Sequence, residues 1–241
     1  MEDFKTKVNA AVKTNNHRAL LNLMNNTTYG SRIPTSLFED ALLKKFHDLI
    51  MSYSQAPILV KRNVDVQFIP YSRSNQNSFA VKFINRINSE LIAEVKCQVR
   101  IYVKPKIPKS SFSIEISSGH TENKYSKSGN SRPANNSPGY GTIIRAFICA
   151  AAKKLGAIGV TQTSAYMSNK NKAAALAGTL KQPVSAYIMN KLGFNKNTNR
   201  NNSNTLAPHS RQLLFKNVKG DWSNIPTPSL NAVMNGILHK K

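Results

Sequence analysis

The chain has 241 residues, and Lys plus Arg number 34 against 11 Asp plus Glu, which gives a formal net charge of +23. Its two cysteines, Cys97 and Cys149, lie in apolar stretches and are interpreted as small buried hydrophobic residues, so we expect no disulfide scaffold. The five histidines never combine with cysteine at ligand spacing, and we predict no metal site. The longest fully apolar run, "AFICAAA", is too short to cross a bilayer, and the start "MEDF" is not a secretory signal, so we expect no membrane association. We therefore expect a soluble protein of the cytoplasm, a nucleoid or a virion.

The positive charge is concentrated in the second half of the chain. No Asp or Glu occurs between Glu122 and Asp221, whereas Lys and Arg occur there fifteen times. A cationic surface of this kind favours a polyanion, so nucleic acid is the predicted partner and an acidic protein surface is the alternative. A solvated basic face that only serves solubility is the third interpretation.

The first 55 residues are predicted to be helical. In "IPTSLFEDALLKKFHDLIMSY", Ser36 and Glu39 have capping-box spacing. The apolar residues of this helix recur on one face, and we expect that face to pack against the core. They are Leu37, Phe38, Ala41, Leu42, Phe46, Leu49 and Ile50.

From residue 58 the apolar period changes to two, which predicts antiparallel strands with one buried face. The strands are "ILVKRNVDVQFIP", "SFAVKFINR", "ELIAEVKCQVRIYVKP" and "SFSIEISS", the last of which carries Glu115. Residues 119–138 contain almost nothing to bury and are predicted to form a mobile loop.

A helix is predicted to begin at the glycine turn Gly139-Tyr140-Gly141 and to end at Gly156, before the strand "AIGVTQTSAY". A helix between two strands is a crossover, so the strands on either side of it should be parallel. A second helix, "PVSAYIMNKLGF", precedes an Asn-rich stretch, the strand "RQLLFKNV" and a tail. We divide the chain into an N-terminal helical extension (1–55), a main domain (56–220) and a C-terminal tail (221–241).

This order of elements resembles the GNAT superfamily of acyltransferases. The resemblance covers roughly residues 58 to 220, and it implies an α+β fold with a mixed central sheet flanked by helices. In that family Arg or Gln, two residues and Gly-x-Gly or Gly-x-Ala open a helix that holds the pyrophosphate of acetyl-CoA or another acyl-CoA. Here "NSPGYG" gives both glycines, with Asn136 at the Arg/Gln position. The implied coenzyme-binding residues are Asn136, Gly139, Tyr140, Gly141 and Thr142.

A second family motif places Tyr-x-Lys-Leu-Gly-Phe at the end of a helix, and this chain has "MNKLGF" there. Met189 occupies the position of the tyrosine, which protonates the leaving thiolate in many family members, and Met cannot do this. Tyr187 lies two residues earlier. The family often places its base on the strand before the glycine turn, where this chain has Glu115. An ion pair of Glu115 with a surface cation is the alternative interpretation.

Two functions follow from these observations. The first is an acyltransferase that acts at or on nucleic acid or a nucleic-acid-bound target, with Glu115 and Tyr187 as candidate catalytic residues. The second is a non-catalytic, strongly basic nucleic-acid-binding protein of the viral or nucleoid-associated type on a similar scaffold. Nucleic acid contacts are predicted in the polar loops, at Lys124, Tyr125, Lys127, Arg132, Lys196, Arg200 and Arg211.

Overall fold

The chain folds into one mixed sheet with helices packed on it. This computed structural model describes residues 2–73, 76–103, 109–122, 125, 138–164, 184–196, 209–217 and 222–239. The helices in these ranges are α1 (Glu2–Lys13), α2 (His17–Met24), α3 (Thr35–Tyr53), α4 (Pro57–Lys61), α5 (Tyr140–Leu155), α6 (Val184–Lys191) and α7 (Pro228–Leu238). The strands are β1 (Val64–Arg73), β2 (Gln76–Asn85), β3 (Leu91–Tyr102), β4 (Ser111–Thr121), β5 (Gly159–Ser164), β6 (Asn195–Lys196) and β7 (His209–Leu214).

The fold class agrees with the prediction: an α+β architecture whose mixed sheet is flanked by helices, preceded by a helical region. The strand order is β1-β2-β3-β4-β5-β7-β6. All neighbours are antiparallel except β4 and β5, which are parallel and joined through α5, as the crossover argument predicts. Within the described ranges, no helix combines the length and the apolar character that are needed to cross a membrane.

Helix α3 packs as its apolar stripe predicts. Phe38, Phe46 and Ile50 are fully buried, and the helix contacts both β1 and α5. The predicted capping box does not form, because the helix already begins at Thr35 after Pro34, and no side chain caps it. Ser36 therefore lies inside the first turn instead of preceding it.

The first predicted strand starts too early. Residues 57–61 form the short helix α4, and β1 begins only at Val64. Pro57 occupies the first turn of α4, where its fixed φ suits a helix start. Asn63, with φ of 52°, then turns the chain into the strand. The apolar run "ILV" thus fits a helical turn as well as a strand, and the flanking Pro and Asn decide between them.

One hydrophobic core joins the described helices and strands from both ends of the chain. It contains Ala11 from α1, Val95 from β3 and Ile237 from α7. Residues from all three predicted segments, 1–55, 56–220 and 221–241, contribute to this core.

Helix α5 lies at the centre of this core. It contacts α3, α7 and the strands β2 to β5, and 13 of its 16 residues are buried. It ends as predicted at Gly156, whose φ of 92° is the left-handed conformation that glycine adopts without a steric penalty. The sequence "YGTIIRAFICAAAKKL" is apolar around most of its circumference, which is what a helix buried on nearly all sides requires.

The last carbonyl groups of α5 accept hydrogen bonds from distant side chains. His17 Nε2 donates to Leu155 O at 3.0 Å, and Arg18 Nη2 donates to Lys154 O at 2.6 Å. Lys216 Nζ donates to Gly156 O at 3.2 Å. Burial lowers the pKa of His17; the Leu155 carbonyl opposes this effect, and Arg18 and Lys45 add to it. The imidazole is therefore held neutral with its proton on Nε2.

We predict that protonation of His17 destabilises the fold. Because burial holds the pKa of His17 below 6.5 in the folded protein, the unfolded chain binds this proton first as the pH falls. Stability is then lost as the pH drops below about 6.5. Thermal midpoints measured by circular dichroism between about pH 7.5 and pH 5 should fall more steeply for the parent than for His17→Gln.

The exposed His47 provides the matched control for this measurement. His47 lies at the surface beside Asp48, and we expect His47→Gln to change the profile less than His17→Gln does. Identical pH profiles for the parent and His17→Gln would contradict the assignment.

Candidate functional site at the start of helix α5

The first turn of α5 leaves backbone donors without a partner in the helix. Thr142 N and Ile143 N both donate to Gly139 O, at 2.9 and 3.1 Å. The N–H groups of Tyr140 and Gly141 have no acceptor in the helix because of their position, and no side chain caps this end. A helix N-terminus in this state attracts an anion.

A cation is fixed beside this first turn. Arg62 Nη1 donates to Pro138 O at 3.1 Å, and its guanidinium lies 5.2 Å from the centre of the Tyr140 ring. Burial lowers the pKa of Arg62, and the neighbouring Tyr140 opposes that effect. The dipole of α5 and the charge of Arg62 therefore favour negative charge at the same place.

Tyr125 packs against Tyr140, the residue over whose ring Arg62 lies. Its ring stands perpendicular to that of Tyr140, with centroids 6.2 Å apart. Its hydroxyl accepts from Asn85 Nδ2 at 3.0 Å and donates to Glu90 Oε2 at 3.1 Å. Tyr125 is thus a buried packing residue of the site.

The sheet opens next to the start of α5. The pairing of β4 with β5 runs from Ile114 to Ile116 and from Val160 to Gln162. A β-bulge follows at once, because Lys96 pairs with Ser118 while Cys97 pairs with Ile116, which leaves Ser117 as the extra residue. Beyond this bulge β4 stays with β3 and β5 stays with β7, so a gap separates β4 from β5.

Arg145 lies at this gap. Its Nε donates to Gln162 Oε1 at 3.1 Å, and its Nη1 donates to Gly141 O at 3.0 Å. The residue is 3% exposed, and no carboxylate of the described residues forms an ion pair with it. Burial lowers the pKa of Arg145 to about 10, so the guanidinium still carries its charge at neutral pH.

A buried cation that has only neutral partners is costly, by several kcal/mol before its hydrogen bonds are counted. The neighbouring thiols do not supply a negative charge, because burial raises the pKa of both Cys97 and Cys149. Negative charge that reached Arg145 would therefore be stabilised by a guanidinium already taken out of water.

Two glycines make room for Arg145. A Cβ on Gly119 of β4 would lie only 2.1 Å from Arg145 Nη2, so no larger residue fits there without moving the guanidinium. A Cβ on Gly141 would meet Ile188 Cδ1 and Thr121 Oγ1 at 3.3 Å and Arg145 Nη1 at 3.4 Å. Gly141 thus permits close packing between the first turn of α5, the end of β4 and α6.

These contacts decide how well an acyl-CoA fits. The pyrophosphate end fits: Gly139 has no described atom within 4 Å of the Cβ position, and the free N–H groups and Arg62 lie beside it. The gap between β4 and β5 is less open than the approach to Gly139, because the Arg145 side chain lies against Gly119 in the gap. The residues present therefore fit the phosphate groups of the coenzyme, whereas the gap leaves less room for an acyl group. Asn136, the remaining predicted coenzyme contact, lies outside the described residues.

The two predicted catalytic residues lie away from the first turn of α5. Glu115 alternates with the buried Ile114 and Ile116, so its side chain is on the face of the sheet opposite α5, where it accepts from Arg100 Nε at 2.6 Å. Tyr187 is 47% exposed, with Lys191 Nζ 4.6 Å from its ring centre. Met189, at the position of the family's tyrosine, is fully buried.

Of the predicted nucleic acid contacts, the two whose side chains are described are buried. Arg211 is 7% exposed and donates through Nη1 to Asn190 Oδ1, and burial lowers its pKa. Tyr125 packs on Tyr140, so its ring is not available for stacking on a base. The side chain of Lys196 and all of Lys124, Lys127, Arg132 and Arg200 lie outside the described residues.

Sequence reasoning missed Arg62 and Arg145 as site residues. A signal was present for Arg145: it is the one charged residue in the run "TIIRAFICAAA", whose other residues face the core on almost every side. A charge inside such a helix has to be held by specific partners. Arg62 carries no comparable signal, because its approach to Pro138 joins positions 76 residues apart.

No protein-family model matches this sequence, and no curated protein matches it significantly. The functional assignment therefore rests on the geometry described above.

We predict that Gly119→Ala destabilises the protein. The added methyl group would lie 2.1 Å from Arg145 Nη2, so the guanidinium would have to leave its place between β4 and β5. Overpacking of this kind costs about 1–3 kcal/mol in the free energy of unfolding, which urea titration measures.

Gly236→Ala in α7 is the matched control. No described atom lies within 4 Å of its Cβ position, and Ala favours a helix over Gly by up to about 1 kcal/mol. The same chemical change should therefore have opposite signs at the two positions. Equal stability of Gly119→Ala and the parent would show that Arg145 does not need the space beside Gly119.

Proposed function

We propose that this chain is a GNAT-like protein that binds the phosphate groups of an acyl-CoA at the first turn of α5 and acts at or on nucleic acid or a nucleic-acid-bound target. The observation that carries this proposal is the uncapped first turn of α5, whose free N–H groups lie beside Arg62 and the open approach at Gly139. The glycine turn, the crossover helix and the parallel strands support it in the order that the family resemblance implies.

Binding rests on three groups of this chain. The N–H groups of Tyr140 and Gly141 donate to phosphate oxygens, Arg62 supplies the opposite charge, and Gly139 leaves room for close approach. The coenzyme, when bound, supplies an activated acyl thioester. Arg145 adds a second, desolvated cation deeper in the same region.

Glu115 is the proposed base for an amine acceptor. It lies one residue before the end of the β4–β5 pairing, on the open face of the sheet, and its carboxylate is one-third exposed. An acceptor could therefore reach it from the side opposite α5. Arg100 holds the carboxylate in place through the 2.6 Å hydrogen bond.

A second candidate function is a non-catalytic, basic nucleic-acid-binding protein on this scaffold. Arg145 against Gly119 narrows the gap in which an acyl group would lie, and this observation favours the second candidate. The buried Met189 at the tyrosine position favours it as well. Binding of coenzyme without turnover, or no binding at all, would select this function.

We predict that acetyl-CoA binds to the parent protein and that Gly139→Val and Arg62→Gln weaken the binding. Val suits the backbone of Gly139, whose φ is −67° and ψ 158°, so this change fills the approach to the turn without straining the fold. Loss of one charge-assisted contact at Arg62 should weaken affinity about tenfold. Isothermal titration calorimetry measures both effects.

Arg32→Gln is the matched control for Arg62→Gln. Arg32 also lies over a tyrosine ring, 5.4 Å from the centre of Tyr29, but on a short 3-10 turn that packs against α2. Its replacement should leave the affinity for acetyl-CoA unchanged. Absence of binding by the parent at millimolar coenzyme, or equal loss in both arginine variants, would remove the coenzyme from the proposal.

We predict salt-sensitive binding of nucleic acid with little sequence preference. Charge without a base-reading motif gives phosphate contacts, and each such contact adds about 0.9 to the slope of log affinity against log salt for duplex DNA. The triple variant Lys124→Gln, Lys127→Gln, Arg132→Gln should lower affinity and slope together. Fluorescence anisotropy of labelled single-stranded and duplex oligonucleotides at increasing salt measures both.

A triple variant of Lys5, Lys13 and Lys44 to Gln removes the same charge from exposed positions of α1 and α3. Both triple variants lose the same net charge, so a difference between them measures the effect of position. The variant in α1 and α3 should reduce the affinity less, because its charges lie outside the predicted contact loops. A flat salt response of the parent would mean that the basic excess serves a different partner.

A further inference from the structure

A cavity of about 590 Å³ lies at the other end of α5, away from the first-turn site. Its walls come from the last turns of α5, the end of α3, the segment after β7 and the helix α7. Most of the lining is aliphatic or aromatic, and it includes Ala150, Phe215, Ile225, Leu230 and Met234. This volume lies in the range of small-molecule sites, about 300–1,000 Å³, and a thioether such as Met234 adapts readily to the shape of an apolar guest.

Three lysines line the same cavity: Lys153, Lys154 and Lys216. None of the described residues that line it is acidic. Arg18 adds a fourth cation close by, since it donates to Lys154 O and repels the charge of Lys216. The C-terminus of a helix supplies only about half a negative charge, which does not neutralise the four positive charges of these side chains.

Two of these lysines, Lys153 and Lys216, are also held in position. Lys153 Nζ donates to Thr227 Oγ1 at 2.7 Å, and Lys216 Nζ donates to Gly156 O and lies 5.9 Å from the Trp222 ring. Thr227 is itself buried. The cavity therefore presents an apolar interior beside two fixed lysines and the exposed Lys154, and none of its described lining residues carries a carboxylate.

We propose that this cavity is a binding site for a small amphiphilic anion, an aliphatic chain that ends in a carboxylate. The aliphatic part of the ligand occupies the space between Ala150, Leu230 and Met234, and its carboxylate pairs with Lys216 and Lys154. Charge complementarity selects this occupant, because an uncharged apolar molecule would leave the cations unpaired. The site is independent of the coenzyme proposal, and either can fail without the other.

Decanoate, titrated below its micellar range, is the probe, and decanol is its uncharged counterpart. Trp222 is the only tryptophan of the chain and lies against Lys216, so its fluorescence reports on the site. We expect a saturable change with decanoate and about tenfold weaker binding of decanol, from the loss of the charge-assisted contact. A response to decanoate that does not saturate, or equal affinity for both probes, would overturn the proposal.

Calorimetry of variants locates the site. Ala150→Leu, which adds bulk inside the cavity, should weaken both probes, whereas Lys216→Met and Lys154→Met should each weaken decanoate about tenfold and leave decanol unchanged. Lys5→Met on the exposed face of α1 removes the same charge elsewhere and should bind as the parent does. The thermal midpoint of each variant checks its folding. Lys154 is exposed, so Lys154→Met should disturb the fold less than Lys216→Met. Parent-like binding by Ala150→Leu, or equal losses in Lys154→Met and Lys5→Met, would refute the site.

Discussion

The burial of α5 on nearly all sides is the constraint on which the rest of the structure depends. A helix in the middle of a core cannot leave its end groups or its charges to water, so tertiary contacts have to satisfy them. At the C-terminal end of α5, the last carbonyl groups accept hydrogen bonds from His17, Arg18 and Lys216, which come from two distant segments of the chain. The N-terminal helical region is therefore part of the main fold, because α2 supplies two of these donors.

The same constraint explains the arrangement at the start of α5. Arg145 is the one charged residue that the buried part of the helix carries, and it is held by Gln162 and by the carbonyl of Gly141. Its size requires glycine at position 119, on a strand that is far away in sequence. One buried guanidinium thus constrains which residue can stand at position 119 on β4, beside the gap that opens at the Ser117 bulge.

Much of this fold could be predicted from the sequence because apolar periodicity reports burial directly. The alternation in β3 and the stripe on α3 gave the correct elements and the correct buried faces, and the glycines at both ends of α5 gave its limits. The start of β1 was wrong because "ILV" suits a helix and a strand equally, and only Pro57 and Asn63 distinguish them. The site was harder to predict. Arg62, Arg145 and Gly119 meet only in three dimensions, and nothing in local sequence encodes a contact across 76 positions.

The short shared ladder between β4 and β5 has a mechanical consequence. Among the described residues, Ile114–Ile116 pair with Val160–Gln162, and one further backbone hydrogen bond runs from Ile158 N to Phe112 O at 2.8 Å. The half-sheets β1–β4 and β5–β7 therefore share a short join. Fewer backbone hydrogen bonds join the two half-sheets than join the strands within either half, so α5, which packs on β2 to β5, carries much of the connection between them. Arg145 contributes to this connection, because it joins α5 to Gln162 on β5 beside Gly119 on β4. Amide hydrogen exchange along β5 therefore reports how often the two halves separate.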